Sequence, residues 1–208
     1  MQNDVKEILE EVESMFLFNE DDFKAGQAKV EEVVYELTDD EPVFEKLRRT
    51  EGVFKNFVAS EMEKMSKMEA IRESNSCYSS PLLVATHKEK PRLVHDYSKV
   101  NLKIKSKRYV LPRIEDILST VSDAKFKAIC DFYKAFFQVK ISESSSAVTA
   151  FQTWENEYEY TVMPMGIKIN PHEFQRRIDK ILGKNRFKRA TAFIDDVTIT
   201  GKTWAEFL

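Results

Sequence analysis

Ala190-Thr191-Ala192-Phe193-Ile194-Asp195-Asp196-Val197-Thr198-Ile199-Thr200 carries the clearest structural signal in the chain. Two runs rich in β-branched and aromatic residues flank an Asp-Asp pair. That is the pattern of a hairpin with an acidic turn, since Asp tolerates the left-handed conformations tight turns need. An acidic pair by itself carries little weight, because the chain has two more, at Asp21-Asp22 and Asp39-Asp40. The strand-like setting separates the third, for which a purely structural turn is the plain alternative. A second acid changes the balance. Asp131 closes Phe126-Lys127-Ala128-Ile129-Cys130-Asp131 and precedes Phe132, Phe136 and Phe137, which predicts a carboxylate at the end of a largely buried strand. An ionised Asp is costly there unless a cation or a set of donors meets it. Converging carboxylates repel unless a divalent cation lies between them, and oxygen-only clusters suit magnesium. A helix or turn cap remains the alternative for Asp131 taken alone.

Composition bounds what surrounds these acids. With 208 residues, 42% apolar and 32% charged, the chain is globular and long enough to bury a core. Cys77 and Cys130 are its only cysteines, and His87, His95 and His172 fall in no ligand-like spacing, which argues against a disulfide framework and a zinc site. The start lacks a basic segment followed by an apolar run, and no stretch approaches the length of a membrane span. The expectation is a soluble intracellular chain that touches no membrane. Its net charge of -3 hides a division: residues 1–73 hold 20 acids and 10 bases, residues 74–208 hold 15 acids and 22 bases. An acidic leader on a basic body fits a nucleic-acid binder whose N-terminal arm avoids the polyanion, or an uneven solvated surface.

Periodicity places the elements. Val5, Ile8, Leu9, Val12 and Phe16 predict an amphipathic helix over 4–17, and Phe54, Phe57, Val58, Met62 and Met65 a second over 53–69. Val33-Val34-Tyr35 reads as a short strand, and Leu82–Ala85 with Arg92–Val94 as a hairpin around Lys88-Glu89-Lys90-Pro91. A helix follows Pro112, strands are expected at 126–131, 137–141 and 158–162, and a helix over 171–182 carries Phe174, Ile178, Ile181 and Leu182 on one face. The lobe boundary is expected within the loops of 74–112.

The order of blocks is more specific than any one of them. Arg92-Leu93-Val94-His95-Asp96-Tyr97, Asn101, Leu111-Pro112-Arg113-Ile114, Asp131, Thr149-Ala150-Phe151, Val162-Met163-Pro164-Met165-Gly166, Pro171, Phe174-Gln175 and Phe193-Ile194-Asp195-Asp196 follow one another at spacings similar to those of the reverse transcriptases of long-terminal-repeat retroelements, Ty3/gypsy type. The similarity is strong from residue 74 onward and weaker over 4–73. It implies an α+β fold: the fingers and palm of a right-hand polymerase, with an antiparallel palm sheet backed by helices. Residues 1–73 would be an acidic leader and the start of the fingers, and 74–208 the fingers and palm core. The family continues beyond the position of Leu208 with a thumb and a ribonuclease H domain, so the expectation is a chain truncated before the thumb.

The resemblance also implies roles. Asp131, Asp195 and Asp196 match the catalytic carboxylates, which with the carbonyl of Phe132 would hold two Mg²⁺ or Mn²⁺ ions. Arg92, Lys88, the peptide N–H groups of Lys134 and Ala135, Phe136 beneath the sugar, Met165 and Gln175 match nucleotide contacts. Gly166, Pro171 and Phe193 fall where nucleic acid is approached. The implied partners are an RNA or DNA template with its primer, a deoxynucleoside triphosphate and other parts of a retroelement polyprotein, in the cytoplasm or a particle. The sequence departs from the family's usual residues: Phe193 and Phe136 stand for tyrosine, Met165 for phenylalanine, and Ala135 for glycine. A Cβ at Ala135 would crowd the nucleotide if the backbone there took a positive φ. Two functions compete. One is RNA-directed DNA polymerisation; the other is a catalytically incomplete or repurposed retroelement fragment that binds nucleic acid or a protein partner.

Overall fold

The computed structural model describes residues 2–11, 19–48, 52–88 and 90–207. In chain order its elements are α1 (Gln2–Glu11), α2 (Lys55–Lys67), β1 (Ile71–Glu73), β2 (Leu82–His87), β3 (Lys90–His95), α3 (Ser98–Lys103), α4 (Ile114–Ser122) and β4 (Phe126–Asp131). They continue as α5 (Glu143–Val148), β5 (Phe151–Gln152), β6 (Glu157–Tyr160), α6 (Asn170–Leu182), β7 (Ala190–Phe193), β8 (Asp196–Gly201) and α7 (Trp204–Phe207). Two compact units share them. One comprises Met1–Phe23, Tyr109–Tyr133 and Phe174–Leu208, the other Lys24–Arg108 and Lys134–Glu173. One of the crossings, at residues 108 and 109, falls in the expected loop region, and residue 73 lies inside the second unit.

In the second unit, α2 buries Val58, Met62 and Met65, the stripe its spacing predicts. The helix stops where Glu69 turns left-handed at φ 63°. The N–H groups of Glu69 and Ala70 return to the carbonyls of Ser66 and Met65, satisfying the last turn. β2 and β3 form the expected hairpin, and β1, β6 and β5 a three-stranded antiparallel sheet. The core here is dense: Phe151, Val58, Met163 and Ala70 have no exposed surface. Two expected strands are absent. Val33 makes only a single bridge to Ile141, because residues 24–48 run as an irregular strap that buries Val33, Tyr35 and Val43 individually. Residues Ala135–Gln138 form a 3₁₀ turn, and only Lys140 and Ile141 make strand-like bridges, to Val162 and Val33. The strap also takes up charge. Glu36 pairs with Lys107 at 2.8 Å, Asp39 with Lys103 at 2.6 Å, Glu45 with Lys99 at 2.9 Å and Arg48 with Asp96 at 2.7 Å. Acidic leader and basic segment are therefore partly partners of each other.

In the first unit, the antiparallel sheet β4-β8-β7 has β8 at its centre. Phe126 on β4 packs edge-on to Trp204 of α7 at 5.2 Å between ring centroids. Helix α4 begins after Arg113, with Glu115 and Asp116 in the first turn, where the helix dipole favours acids. Its apolar face is only partly covered: Ile117 and Val121 are half-buried, while Ile114 is 62% and Leu118 59% exposed. α1 covers the first part of the expected 4–17 helix, and Val12 and Phe16 lie outside the described residues. α6 departs from a simple stripe. Phe174 and Ile178 are buried as expected, yet Ile181 is exposed, while Gln175, Arg177 and Asp179 are buried. Among the described residues no helix is long and apolar enough to cross a membrane.

Candidate active site

The acids lie at one end of β4-β8-β7. Asp131 pairs with Asp196 across β4 and β8, and Phe193 pairs with Asp196 across β7 and β8. Directly opposite residues share a face, so Asp131, Asp196 and Phe193 form one row over three strands. Asp195 occupies the turn, where its carbonyl accepts the Phe132 N–H at 3.3 Å. All three acids are exposed, which corrects the expectation of a buried site around Asp131. The physical reason is that β4 is an edge strand: Ile129 is 75% exposed, and Cys130 and Asp131 are open as well. What makes the row unusual is opposition of like charges, which destabilises a cross-strand pair. Its donor chemistry, carboxylate and peptide oxygens only, fits a hard cation such as Mg²⁺ or Mn²⁺. Among the described residues no three His, Cys, Asp or Glu side chains are already gathered as a ligand set.

The turn also corrects the sequence reading. Phe193 and Asp196 close a two-residue turn, and the residue with positive φ is Ile194, at 56°, rather than either Asp. Positive φ at the first central position alone is the pattern of a type II′ hairpin turn, where glycine is favoured and a β-branched residue is strained. Gln175 supports it. This side chain is fully buried; its Oε1 accepts the Ile194 N–H at 2.8 Å, and its Nε2 donates to the Ala192 carbonyl at 3.0 Å and Asp179 Oδ1 at 2.9 Å. Gln175, expected at the nucleotide, thus has its amide committed to the acidic turn.

The remaining expected residues lie in the second unit. Lys88, left-handed at φ 47°, sits in the β2–β3 turn, and Arg92 is exposed on β3. Lys134 precedes the 3₁₀ turn with φ 46° and ψ 47°. The positive φ considered for Ala135 therefore falls one residue earlier; Ala135 itself is buried inside the turn, with Phe136 half-buried beside it. Arg92, Lys134, Met165 and Gly166 line one cavity of about 650 Å³, together with Met65 and His95. Lys88, Ala135 and Phe136 are not among its lining residues. Gly166 has φ +95°, and a Cβ there would meet the Tyr97 ring at 3.3 Å, so its place requires glycine. Asn101 holds this loop from both sides: its Nδ2 donates to the Gly166 carbonyl and its Oδ1 accepts the Lys168 N–H, each at 2.8 Å. Asn170 Nδ2 donates to the Pro164 carbonyl at 2.6 Å, and Tyr35 donates its hydroxyl to Asn170 Oδ1 at 2.9 Å. Pro171 follows, half-buried, in the first turn of α6.

His95, read from sequence only as part of a block, is a core residue. Burial lowers its pKa from 6.5 to about 3. Its ring centroid lies 4.4 Å from that of Phe151, its Nε2 is 2.9 Å from the Tyr160 hydroxyl, and its buried Nδ1 has no partner among the described residues. Asp179, which meets the Gln175 amide, and its own partners Tyr109 and Arg186 carried no motif; the only sequence signal was Asp179 standing four residues after Gln175 on one helix.

Known proteins give a consistent picture. A family described as reverse transcriptase (RNA-dependent DNA polymerase) matches residues 81–207. The chain is 33% identical over 172 residues to the retrovirus-related Pol polyprotein from transposon 412 of Drosophila melanogaster, covering 79% of this chain and 14% of that protein. It is 32% identical over 168 residues to the corresponding polyprotein from transposon gypsy of the same organism, covering 77% and 16%. The chain thus spans only 14% and 16% of the length of these relatives. Among solved structures, the foamy viral protease-reverse transcriptase in complex with RNA/DNA hybrid has the same fold, with a TM-score of 0.86 at 19% identity over 98% of this chain and 27% of that one.

Proposed function

Because this chain belongs to the reverse transcriptase (RNA-dependent DNA polymerase) family, we propose that it carries the nucleotidyl-transfer site of an RNA-directed DNA polymerase. The observation that carries the reading is the row of acids: Asp131 opposite Asp196, with Asp195 in the adjoining turn. The reaction joins the primer 3'-oxygen to the α-phosphorus of a deoxynucleoside triphosphate; the bond from that phosphorus to the bridging oxygen breaks, pyrophosphate leaves, and the hydroxyl proton passes to solvent. Asp131, Asp195 and Asp196, with the Phe132 carbonyl, would hold two divalent cations. Such ions, when bound, lower the pKa of the attacking hydroxyl and neutralise charge on the leaving group.

The chain's own groups do the positioning. Arg92 and Lys134, exposed around one cavity, offer cations to a triphosphate, and Lys88 in the neighbouring hairpin turn adds a third. The peptide N–H groups of Lys134 and Ala135 are donors for the same phosphates. Phe136 provides a ring against the sugar, and Met165 and Gly166 a surface for the base pair. Pro171 and Phe193 would each approach nucleic acid. Exposed acids and exposed cations suit a reaction whose catalysis is mostly alignment and charge neutralisation.

Primer extension on an RNA template tests the reading. Placed in the polyprotein of a related element in exchange for the matching segment, the chain should extend the primer in Mg²⁺, and Asp195→Asn should abolish extension. No extension by the exchanged protein would favour the second reading, a fragment that binds nucleic acid without chemistry.

A further inference from the structure

Gln175 cannot hold the turn by itself, because a primary amide works only in the right orientation. Its two ends face groups of opposite character. Asp179 Oδ1 and the Ala192 carbonyl only accept, whereas the Ile194 N–H only donates. Rotating the amide by half a turn would set oxygen against a carboxylate and a carbonyl, and NH₂ against N–H. Asp179 therefore does more than fill space beside Gln175. Its side chain is 5% exposed, and it accepts the Tyr109 hydroxyl at 2.7 Å and pairs with Arg186 Nη2 at 2.9 Å. With both partners donating to it, the Asp179 side chain presents acceptor oxygens to Gln175, and an acceptor is what fixes the amide.

We propose that Asp179, held by Tyr109 and Arg186, is a positioning residue for the acidic turn. Its carboxylate, together with the Ala192 carbonyl, sets the orientation of Gln175, which holds Ile194 at its positive φ and so fixes where the next residue, Asp195, stands. The line from Arg186 and Tyr109 through Asp179 and Gln175 to Ile194 is continuous in one ion pair of 2.9 Å and hydrogen bonds of 2.7, 2.9 and 2.8 Å, and lies within one compact unit. Its importance for catalysis rests on reading Asp195 as a working acid; its effect on the turn does not.

The test is amide hydrogen exchange by NMR on the full chain, comparing the Ile194 N–H with the Thr200 N–H. The latter donates to the Arg189 carbonyl at 2.7 Å in the same hairpin and reports general loosening. In Asp179→Asn, whose amide can present a donor to Gln175, the Ile194 exchange rate should rise at least about tenfold relative to Thr200. Equal acceleration at both sites, or none, would overturn the proposal. Should that variant fail to fold, Tyr109→Phe removes one donor to Asp179 and keeps the ring. It should accelerate Ile194 selectively by about twofold or more, and an unchanged ratio would overturn the proposal equally. A parallel Mn²⁺ titration of the wild type separates the two levels: no binding there refutes the catalytic reading, while the exchange ratio still decides the clamp.

Discussion

Asp131 and Asp196 stand directly opposite each other in antiparallel register, one on the edge strand β4 and the other on the central strand β8. A sheet selected only for stability would not pair like charges in this way. Asp131→Asn should therefore raise the stability of the metal-free chain by up to about 0.5 kcal/mol, the low end for such pairs because the side chains are exposed. The same substitution should remove most of the stabilisation that added Mg²⁺ gives the wild type, since a ligand stabilises only the state that binds it. Urea melts of both proteins, with and without Mg²⁺, measure both effects; a less stable metal-free variant would contradict the first.

Ile194 is the strained residue of the hairpin. Glycine adopts a positive φ without the penalty a β-branched residue meets there. Ile194→Gly should stabilise the chain by about 1 kcal/mol if the turn strain outweighs the side chain's own packing, which is modest at a half-buried position. Equilibrium unfolding at neutral pH checks the sign. A loss of stability would mean that Ile194 is held by contacts rather than by Gln175.

The two strained or buried polar features were the least legible in the sequence. Periodicity located α2, α4, the β2–β3 and β7–β8 hairpins and β4, because each shows its apolar residues at the spacing of its own geometry. It failed over 24–48, where Val33, Tyr35 and Val43 are buried one at a time without a repeating pattern. It misplaced a strand at 137–141, because the left-handed Lys134 starts a 3₁₀ turn that an apolar run does not reveal. The placement of Asp131 at a strand end and of Asp195 and Asp196 at the turn between two strands was legible. Gln175's service to the turn was not, since its partners Asp179, Ala192 and Ile194 are brought together only by α6 packing near β7.

His95 gives the chain a defined acid sensitivity. Its pKa is lowered in the fold from 6.5 to about 3 by burial, so the unfolded chain binds the proton first. Its contribution is intact above about pH 6.5 and is lost progressively as the pH falls towards 3, at a slope of about 1.4 kcal/mol per unit. Between pH 6.5 and pH 5 that amounts to about 2 kcal/mol. His95→Phe, which keeps a ring against Phe151 and removes the unpartnered Nδ1, should lose this part of the pH dependence. Urea melts across the range decide it, and parallel pH curves for the two proteins would show that His95 is not the titrating group.

Nucleic-acid binding should depend unequally on the basic residues. Nine Lys and Arg lie between 88 and 113, yet Lys99, Lys103 and Lys107 already meet acids of the 36–45 strap. Arg92→Ala should lower the slope of log affinity against log salt by about 1 unit, as expected for one lost phosphate contact. Lys103→Ala should change it far less. Anisotropy titrations with an RNA–DNA duplex at several salt concentrations separate the two, and equal slopes would show that the ion pairs open on binding.

The three acids at the end of β4-β8-β7 should together form a divalent-cation site, which calorimetric titration of Mn²⁺ into the full chain measures. The wild type should bind, and Asp131→Asn and Asp195→Asn should each weaken binding at least about tenfold, because each removes a charged oxygen donor from a set with few others. Equal affinities in all three proteins would contradict the claim.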